Sequence, residues 1–207
     1  MMKITQIKEY DKKRKKIILD DGEFVFLLYI GELRKLRLQE GDEISKEEYY
    51  TIENDILIPR AKKRVLYYLK NGEKTKMEVI RKLKESFYPE SVIDEAIKFL
   101  ERYSFIDDKR YADSFVYNKK GKYSRRELEA KLYQKGISKE EIKEAVEEIN
   151  DEEELEACIK LLRKRVKSDE AFSDYAERRK NYAYLMRKGY SYDIVEKAFR
   201  EVESLIY

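Results

Sequence analysis

The chain carries one 23-residue pattern three times: EVIRKLKESFYPESVIDEAIKFL at residues 78–100, ELEAKLYQKGISKEEIKEAVEEI at 127–149, and KNYAYLMRKGYSYDIVEKAFREV at 180–202. The three stretches align without a gap, and apolar residues recur in the same columns. The columns that contain Ile93, Ile97 and Leu100 are separated by four and three residues, which is the i, i+4, i+7 spacing of a buried helical stripe. The columns are Leu83, Leu132 and Leu185; Ile93, Ile142 and Val195; Ala96, Ala145 and Ala198; Ile97, Val146 and Phe199; and Leu100, Ile149 and Val202.

Each stretch is interrupted near its centre by a turn signal, so we expect two helices in each. Glycine begins two of the turns, whereas the first turn reads Phe-Tyr-Pro. The repeat period leaves room for one more helix in each unit, so the sequence predicts three tandem three-helix repeats. The turns are 87–89, 136–138 and 189–191; the additional helices are 59–71, 109–118 and 151–167; and the predicted capping boxes are Ser45/Glu48, Thr75/Glu78, Ser124/Glu127 and Ser138/Glu141.

The first forty residues differ from the rest, because they contain short β-branched and aromatic runs. Asp21-Gly22 lies between two of these runs and predicts a tight hairpin turn. Such a small β-rich module is too small to be stable without a neighbour. The predicted fold is mainly α, an elongated array of three three-helix repeats preceded by this module. The predicted division is 1–45 for the module, 46–58 for a connecting helix, and 59–108, 109–150 and 151–207 for the repeats.

The composition argues against an enzyme. The 207 residues include no histidine, which removes the commonest general base and most transition-metal sites. The single cysteine, Cys158, can form neither an internal disulfide nor a thiolate zinc cluster, and we expect it to be buried. The seven glycines fit no phosphate-binding loop. We therefore expect no catalytic residue, no metal and no cofactor.

The longest uninterrupted apolar run covers residues 24–30, which is too short to span a bilayer or to form a signal core. No basic-then-apolar leader opens the chain. The sequence therefore predicts a protein that is soluble and cytoplasmic, makes no membrane contact and is a monomer.

Charge is distributed unevenly along the chain. Residues 59–126 hold 19 Lys and Arg against 10 Asp and Glu, a net charge of +9, whereas residues 127–156 hold 4 against 12, a net charge of −8. Such polarity favours contact with a polyanion or with two kinds of surface, although amphipathic helices rich in charge also produce such blocks. The acidic residues 151–154 are explained either as the start of a helix or as a contact for a basic partner.

Two basic groups are candidate binding residues, because cations at a helix start or beside aromatic rings attract phosphates. We expect the first group to be exposed, and we expect most of the 18 tyrosines to fill helix interfaces with the hydroxyl at the rim. A third basic group lies at residues 60–64. The first group is Lys119, Lys120, Lys122, Arg125 and Arg126, and the second is Arg178, Arg179, Arg187 and Lys188.

Three segments make the chain resemble the RecX family, regulators of the RecA recombinase. They are FIDDKRYADSFV at 105–116, SRREL at 124–128 with KGI at 135–137, and YAYLMRKGYSY at 182–192. The N-terminal module is similar to an extension found in some branches of that family. Two departures from the family pattern are Phe-Tyr-Pro at 87–89, in place of a turn that contains glycine, and Ser104, where a glycine is usual.

The resemblance implies a non-enzymatic protein of DNA repair, homologous recombination and the SOS response. Such a protein would bind RecA–DNA filaments and inhibit strand exchange and ATP hydrolysis by occupying the filament groove. It would also meet single- or double-stranded DNA through its basic edge. Two alternatives stay open: a stand-alone helical DNA-binding protein that does not depend on RecA, and a helical adaptor that binds no nucleic acid. Salt dependence of DNA binding in the absence of RecA separates them.

Overall fold

The computed structural model describes residues 1–22, 24–166 and 174–204. The chain divides into two compact units, Met1–Asp107 and Asp108–Tyr207, called unit 1 and unit 2 below. Within the described residues, no helix combines the length and the apolar character that crossing a membrane requires.

Unit 1 begins with a four-stranded antiparallel sheet of strand order β3-β2-β1-β4. The predicted hairpin is confirmed: Leu19 pairs with Phe24, and a short 3-10 turn, Asp20–Gly22, separates them. The fourth strand was not predicted, since it is only two residues long. The elements are β1 (Met2–Glu9), β2 (Arg14–Leu19), β3 (Phe24–Tyr29), the helix α1 (Ile30–Leu36) and β4 (Glu43–Ile44).

The helices of unit 1 share one hydrophobic core with the sheet. Ile4, Ile17 and Phe26 of the sheet belong to the same buried cluster as Leu83 and Leu100. Sharing a core supplies the neighbour that so small a sheet needs. The helices are α2 (Lys46–Ile52), which continues through a π-helical segment (Glu53–Leu57) into α3 (Ile58–Leu69), followed by α4 (Lys76–Lys84) and α5 (Glu90–Arg102).

Unit 2 contains two further clusters of buried apolar residues. One includes Leu128, Leu132 and Val146, and the other includes Leu162 and Leu185. The structure describes six helices here: α6 (Asp108–Lys119), α7 (Arg125–Gln134), α8 (Lys139–Glu147), α9 (Asp151–Arg165), α10 (Tyr175–Arg187) and α11 (Tyr192–Glu203). The end of the predicted helix at 151–167 lies outside the described residues.

The repeat columns are the core positions of the helices. Leu83, Leu132 and Leu185 are each fully buried, and every other column residue named above is buried as well. The mainly helical fold class with a small N-terminal strand module is therefore confirmed. The boundaries assigned to the individual repeats stay a prediction.

The turns between paired helices place a residue in the left-handed conformation. Gly136 and Gly189 have φ angles of 83° and 91°, and Phe87 takes the same place in the first repeat with φ 56°. The Phe87 ring packs edge-on against Tyr10 at 5.7 Å, and the Lys16 ammonium lies 4.0 Å from the ring centroid. The left-handed conformation is unfavourable for phenylalanine, and the contacts with Tyr10 and Lys16 offset part of that cost.

Ser104→Gly is expected to raise the free energy of unfolding by about 1 kcal/mol, because Ser104 has a φ of 54°, where glycine is not penalised. Urea unfolding followed by far-UV circular dichroism measures the change. Ser104→Ala is the matched control: it also removes the hydroxyl but keeps Cβ, so no gain is expected. Equal stability of the glycine and alanine variants would contradict the prediction.

Candidate functional site

The basic loop between α6 and α7 contacts the acidic start of α9. Lys120 Nζ lies 2.5 Å from Glu153 Oε1, and this hydrogen bond is the main reason why the pKa of the Glu153 carboxyl is lowered. A lowered pKa keeps the carboxylate charged to lower pH, so this contact is present near neutral pH and is lost when acid protonates Glu153. The acidic residues therefore meet a basic surface of their own chain.

Arg125 makes the most extensive of these contacts. Its guanidinium donates to the Ile149 carbonyl oxygen at 2.6 Å and to Asp151 Oδ1 at 2.7 Å, and Nη1 lies 3.2 Å from Glu154 Oε2. The Arg125 backbone N–H also donates to Glu154 Oε1 at 3.1 Å. Since the Glu154 side chain is only 7% exposed, this buried carboxylate depends on Arg125 for its counter-charge.

The expectation that all five residues of the first basic group are exposed is therefore wrong. Lys119, Lys120 and Arg125 are half-buried, and only Lys122 and Arg126 are exposed. The physical reason is charge compensation, because folding brings the basic segment onto the acidic segment that follows it. Lys120 and Arg125 are consequently structural contacts within unit 2.

Arg126 lines a groove together with residues from the end of α10. The groove has a volume of about 490 Å³, and Arg187, Lys188, Tyr184 and Met186 are among the side chains that line it. Among the described residues, neither Arg126 nor Arg187 forms an ion pair, whereas Lys188 Nζ lies 3.8 Å from Glu127 Oε1. One member of the first basic group thus joins two members of the second.

A second groove, of about 380 Å³, shares Arg126 and Ala130 with the first. Lys139 and Lys143 of α8 line it together with Glu129 and the exposed Tyr133. We call Arg126, Lys139, Lys143, Arg187 and Lys188 the basic strip. Lys139 and Lys143 were not among the predicted binding residues, because they stand in a segment of net negative charge. Their i, i+4 spacing on one helix face is the signal that could have identified them.

Arg178 and Arg179 line neither groove. The Arg178 guanidinium packs over the Phe199 ring at 5.4 Å and lies 3.7 Å from Glu203, so it contributes to the packing of α10 on α11. Arg179 is exposed. The second predicted group is therefore divided, and only Arg187 and Lys188 join the strip.

A close approach of two turns positions the strip. Ser124 accepts a hydrogen bond from the Glu127 N–H at 3.1 Å and donates its own hydroxyl to the Lys188 carbonyl oxygen at 2.7 Å. The predicted Ser124/Glu127 capping box is therefore only half formed. A Cβ atom at Gly189 would lie 2.7 Å from Ser124 Oγ and 3.0 Å from Arg126 Cβ. Glycine thus allows the α10–α11 turn to lie against the start of α7.

The tyrosines divide between helix interfaces and the surface: of those that the structure describes, two are buried, six are half-buried and nine are exposed. Among the tyrosines that the structure describes, only Tyr49 and Tyr190 are buried. The others are half-buried or exposed, which suits a phenol whose hydroxyl keeps its contact with water. Exposed rings are therefore available beside the cations of both units.

Cys158, the single thiol, is buried in the core of unit 2. Burial raises the pKa of the Cys158 thiol to about 12, so the thiol is protonated and unreactive at neutral pH. Within the described ranges, no group of three His, Cys, Asp or Glu residues is arranged to hold a metal ion.

The fold of tandem three-helix domains defines a helical repeat protein. Residues 61–100, 107–146 and 151–199 match the family models for the first, second and third three-helix domains of RecX. The regulatory protein RecX of Clostridium botulinum (strain Eklund 17B / Type B) is 31% identical over 205 residues, which cover 97% of this chain and 96% of the relative. The chain belongs to the RecX family of regulatory proteins.

Another relative and two solved structures support the same family assignment. The regulatory protein RecX of Caldanaerobacter subterraneus subsp. tengcongensis is 31% identical over 199 residues, which cover 95% of this chain and 98% of the relative. A crystal structure of regulatory protein RecX superposes with a TM-score of 0.62 at 27% identity, covering 95% of this chain and 98% of that one. The crystal structure of RecX from Lactobacillus salivarius gives a TM-score of 0.63 at 27% identity, over 72% of this chain and 97% of the other.

Proposed function

We propose that the protein binds RecA–DNA filaments and inhibits strand exchange and ATP hydrolysis by occupying the filament groove. Membership of a family of regulatory proteins supports a regulatory role. The observation that carries the choice of surface is the basic strip, where Arg126 and Arg187 line one groove and form no ion pair within the described residues, although Glu127 also lines that groove.

The strip suits a surface rich in phosphates or carboxylates. Its cations come from α7, α8 and α10, and these helices are held by buried columns, so the charges are presented without ordering a flexible loop. Guanidinium groups bind phosphates and carboxylates with two parallel hydrogen bonds, which favours Arg126 and Arg187 as the main contacts. Inhibition by occupancy needs no catalytic group.

Strand exchange and ATP hydrolysis by RecA, measured while this protein is titrated in, test the proposal. We expect inhibition by the wild-type protein and a loss of at least about tenfold in potency for Arg126→Gln combined with Arg187→Gln. Inhibition should also weaken with added salt. A wild-type protein that leaves both RecA activities unchanged would contradict the proposed function.

The matched control removes two exposed lysines of unit 2 that line neither groove, Lys160→Gln with Lys197→Gln. Its inhibition is expected to equal that of the wild type. If both double variants lose potency equally, inhibition depends on the net charge of the protein and not on the basic strip. Salt-sensitive binding to duplex DNA, without any effect on RecA, would favour the stand-alone DNA-binding alternative.

A further inference from the structure

A separate basic groove lies in unit 1, between α3 and the N-terminal sheet. It has a volume of about 290 Å³, and α3 contributes Arg60, Lys63, Arg64 and Tyr67 to its lining. These residues are spaced i, i+3, i+4 and i+7, so they share one face of the helix. The opposite side of α3 places Ala61 and Val65 in the core. The helix therefore directs a charged and aromatic face into the groove.

No carboxylate is among the residues that line the groove, and only some of its cations are paired with an acid nearby. Arg60 is held by Glu32 at 2.7 Å and by the Leu27 carbonyl oxygen at 3.0 Å. Within the described part of the chain, Lys63 and Arg64 pair with no carboxylate, and Arg64 Nε is buried with no hydrogen-bond partner. A buried donor without an acceptor is costly, and the groove that Arg64 lines holds no carboxylate that could accept from it.

Tyr88 also lines the groove, and its hydroxyl is affected by the same cations. Burial raises the pKa of its hydroxyl, while the nearby guanidinium groups of Arg60, Arg64 and Arg14 act in the opposite direction. Because burial dominates, the hydroxyl keeps its proton at neutral pH and can donate to an anion. Of these three cations, Arg60 and Arg14 are paired with Glu32 and Asp11, and only Arg64 has no ion pair within the described residues.

Exposed rings accompany these cations. The Tyr67 side chain is 70% exposed, and Tyr29 lies beneath the Arg60 guanidinium at 4.9 Å. Cations beside exposed aromatic rings are the combination that binds single-stranded nucleic acid, because the phosphate meets the charge while the base stacks on a ring. An acidic peptide would match the charge and leave the rings without a stacking partner.

We propose that this groove binds one nucleotide unit of a single-stranded nucleic acid, with its phosphate at Lys63 and Arg64 and its base on Tyr67. A volume at the small end of the range for ligand sites suits a single unit rather than a duplex. The site lies in unit 1 and uses no residue of the basic strip, so it is a binding site in addition to the proposed function.

Fluorescence anisotropy of a labelled oligothymidylate of about 16 nucleotides, with the full chain and no RecA, tests the proposal. Lys63→Gln combined with Arg64→Gln should weaken binding at least about tenfold and reduce the log–log salt slope by about 1.4. The charge-matched control is Lys84→Gln with Lys98→Gln, two exposed lysines of unit 1 outside the groove, and it should stay within about twofold of the wild type. Equal weakening of both double variants would overturn the proposal.

The Tyr67 variants keep every charge and change an exposed position, so they test the site even if the double variant is unstable. Tyr67→Ala is expected to lose about tenfold in affinity and Tyr67→Phe to bind as the wild type does. Wild-type affinity for Tyr67→Ala would overturn the proposal.

Competition separates the sources of the anion. Unlabelled oligothymidylate should displace the probe at the lowest concentration, thymidine 5′-monophosphate should do so only at a far higher concentration because it offers a single unit, and poly-L-glutamate at equal charge should not displace it. Displacement by the polypeptide would assign the groove to acidic peptides, and displacement by the mononucleotide at the concentration at which the oligomer acts would assign it to free nucleotides. Because RecA is absent, failure here leaves the proposed inhibition of RecA untouched.

Discussion

Arg125→Glu is expected to lower the free energy of unfolding of unit 2 by about 3–5 kcal/mol. The substitution removes the counter-charge of the buried Glu154 and places a second carboxylate beside it, and it also removes the donor to the Ile149 carbonyl oxygen. Cys158 provides the measurement, because it is fully buried, lies one helical turn after Glu154 and is the only cysteine in the chain. Its rate of labelling by a thiol reagent in increasing urea reports the opening of the structure around it.

Arg126→Glu is the matched control, since it reverses the neighbouring charge at an exposed position with no ion pair in the described chain. Its effect on stability is expected to stay within about 0.5 kcal/mol. Arg125→Gln combined with Glu154→Gln should cost less than the sum of the two single changes, because neither charge is then left alone. Equal stability of Arg125→Glu and Arg126→Glu would contradict the assignment of Arg125 as a structural residue.

The structural role of Lys120 and Arg125 limits which substitutions can test binding by the first basic group. Reversal of all five cations of the first basic group would break the contacts of Lys120 and Arg125 with α9. A loss of RecA inhibition in that variant would then report unfolding as well as binding. Variants of Arg126 and Arg187 avoid this, because these two side chains lie at the groove and support no described ion pair.

Leu132→Ala is expected to lower the stability of unit 2 by about 2–5 kcal/mol, because Leu132 is 0% exposed and its truncation leaves a cavity between α7 and α8. Hydrogen exchange of the backbone amides of α7 and α8 measures the change where it occurs. The control is Tyr133→Ala at the next position, which is 64% exposed and should change stability by less than about 0.5 kcal/mol. A loss of stability below about 0.5 kcal/mol for Leu132→Ala would contradict the assignment of this column to the core.

The sequence predicted the core more accurately than the surface. Apolar spacing is a local property, so the columns at Leu132 and Leu185 could be recognised without knowing how the helices pack. The turn at Gly189 was also recognisable, because a left-handed residue at a helix end favours glycine. Phe87 was visible as a departure from the pattern, but only its contacts with Tyr10 and Lys16 explain it.

The surface could not be predicted in the same way, because charges that are distant in sequence meet only after folding. Arg125 and Glu154 belong to different helices, and their charge pattern alone allowed both a solvated face and a binding site. Lys139 and Lys143 stood in an acidic segment, yet they line a groove with Arg126. Selection of binding residues by local charge therefore included three structural contacts, Lys120, Arg125 and Arg178, and left out two members of the strip.

By itself, the sequence determined three helical repeats, their buried columns and their turns, since each depends on spacing within a few residues. Only the tertiary structure decided which cations are neutralised and which face a groove. The reason is that a charge is compensated by whatever lies within a few ångströms of it, as Glu153 and Glu154 lie beside Lys120 and Arg125. That distance is set by the packing of whole helices and not by the order of residues along one of them.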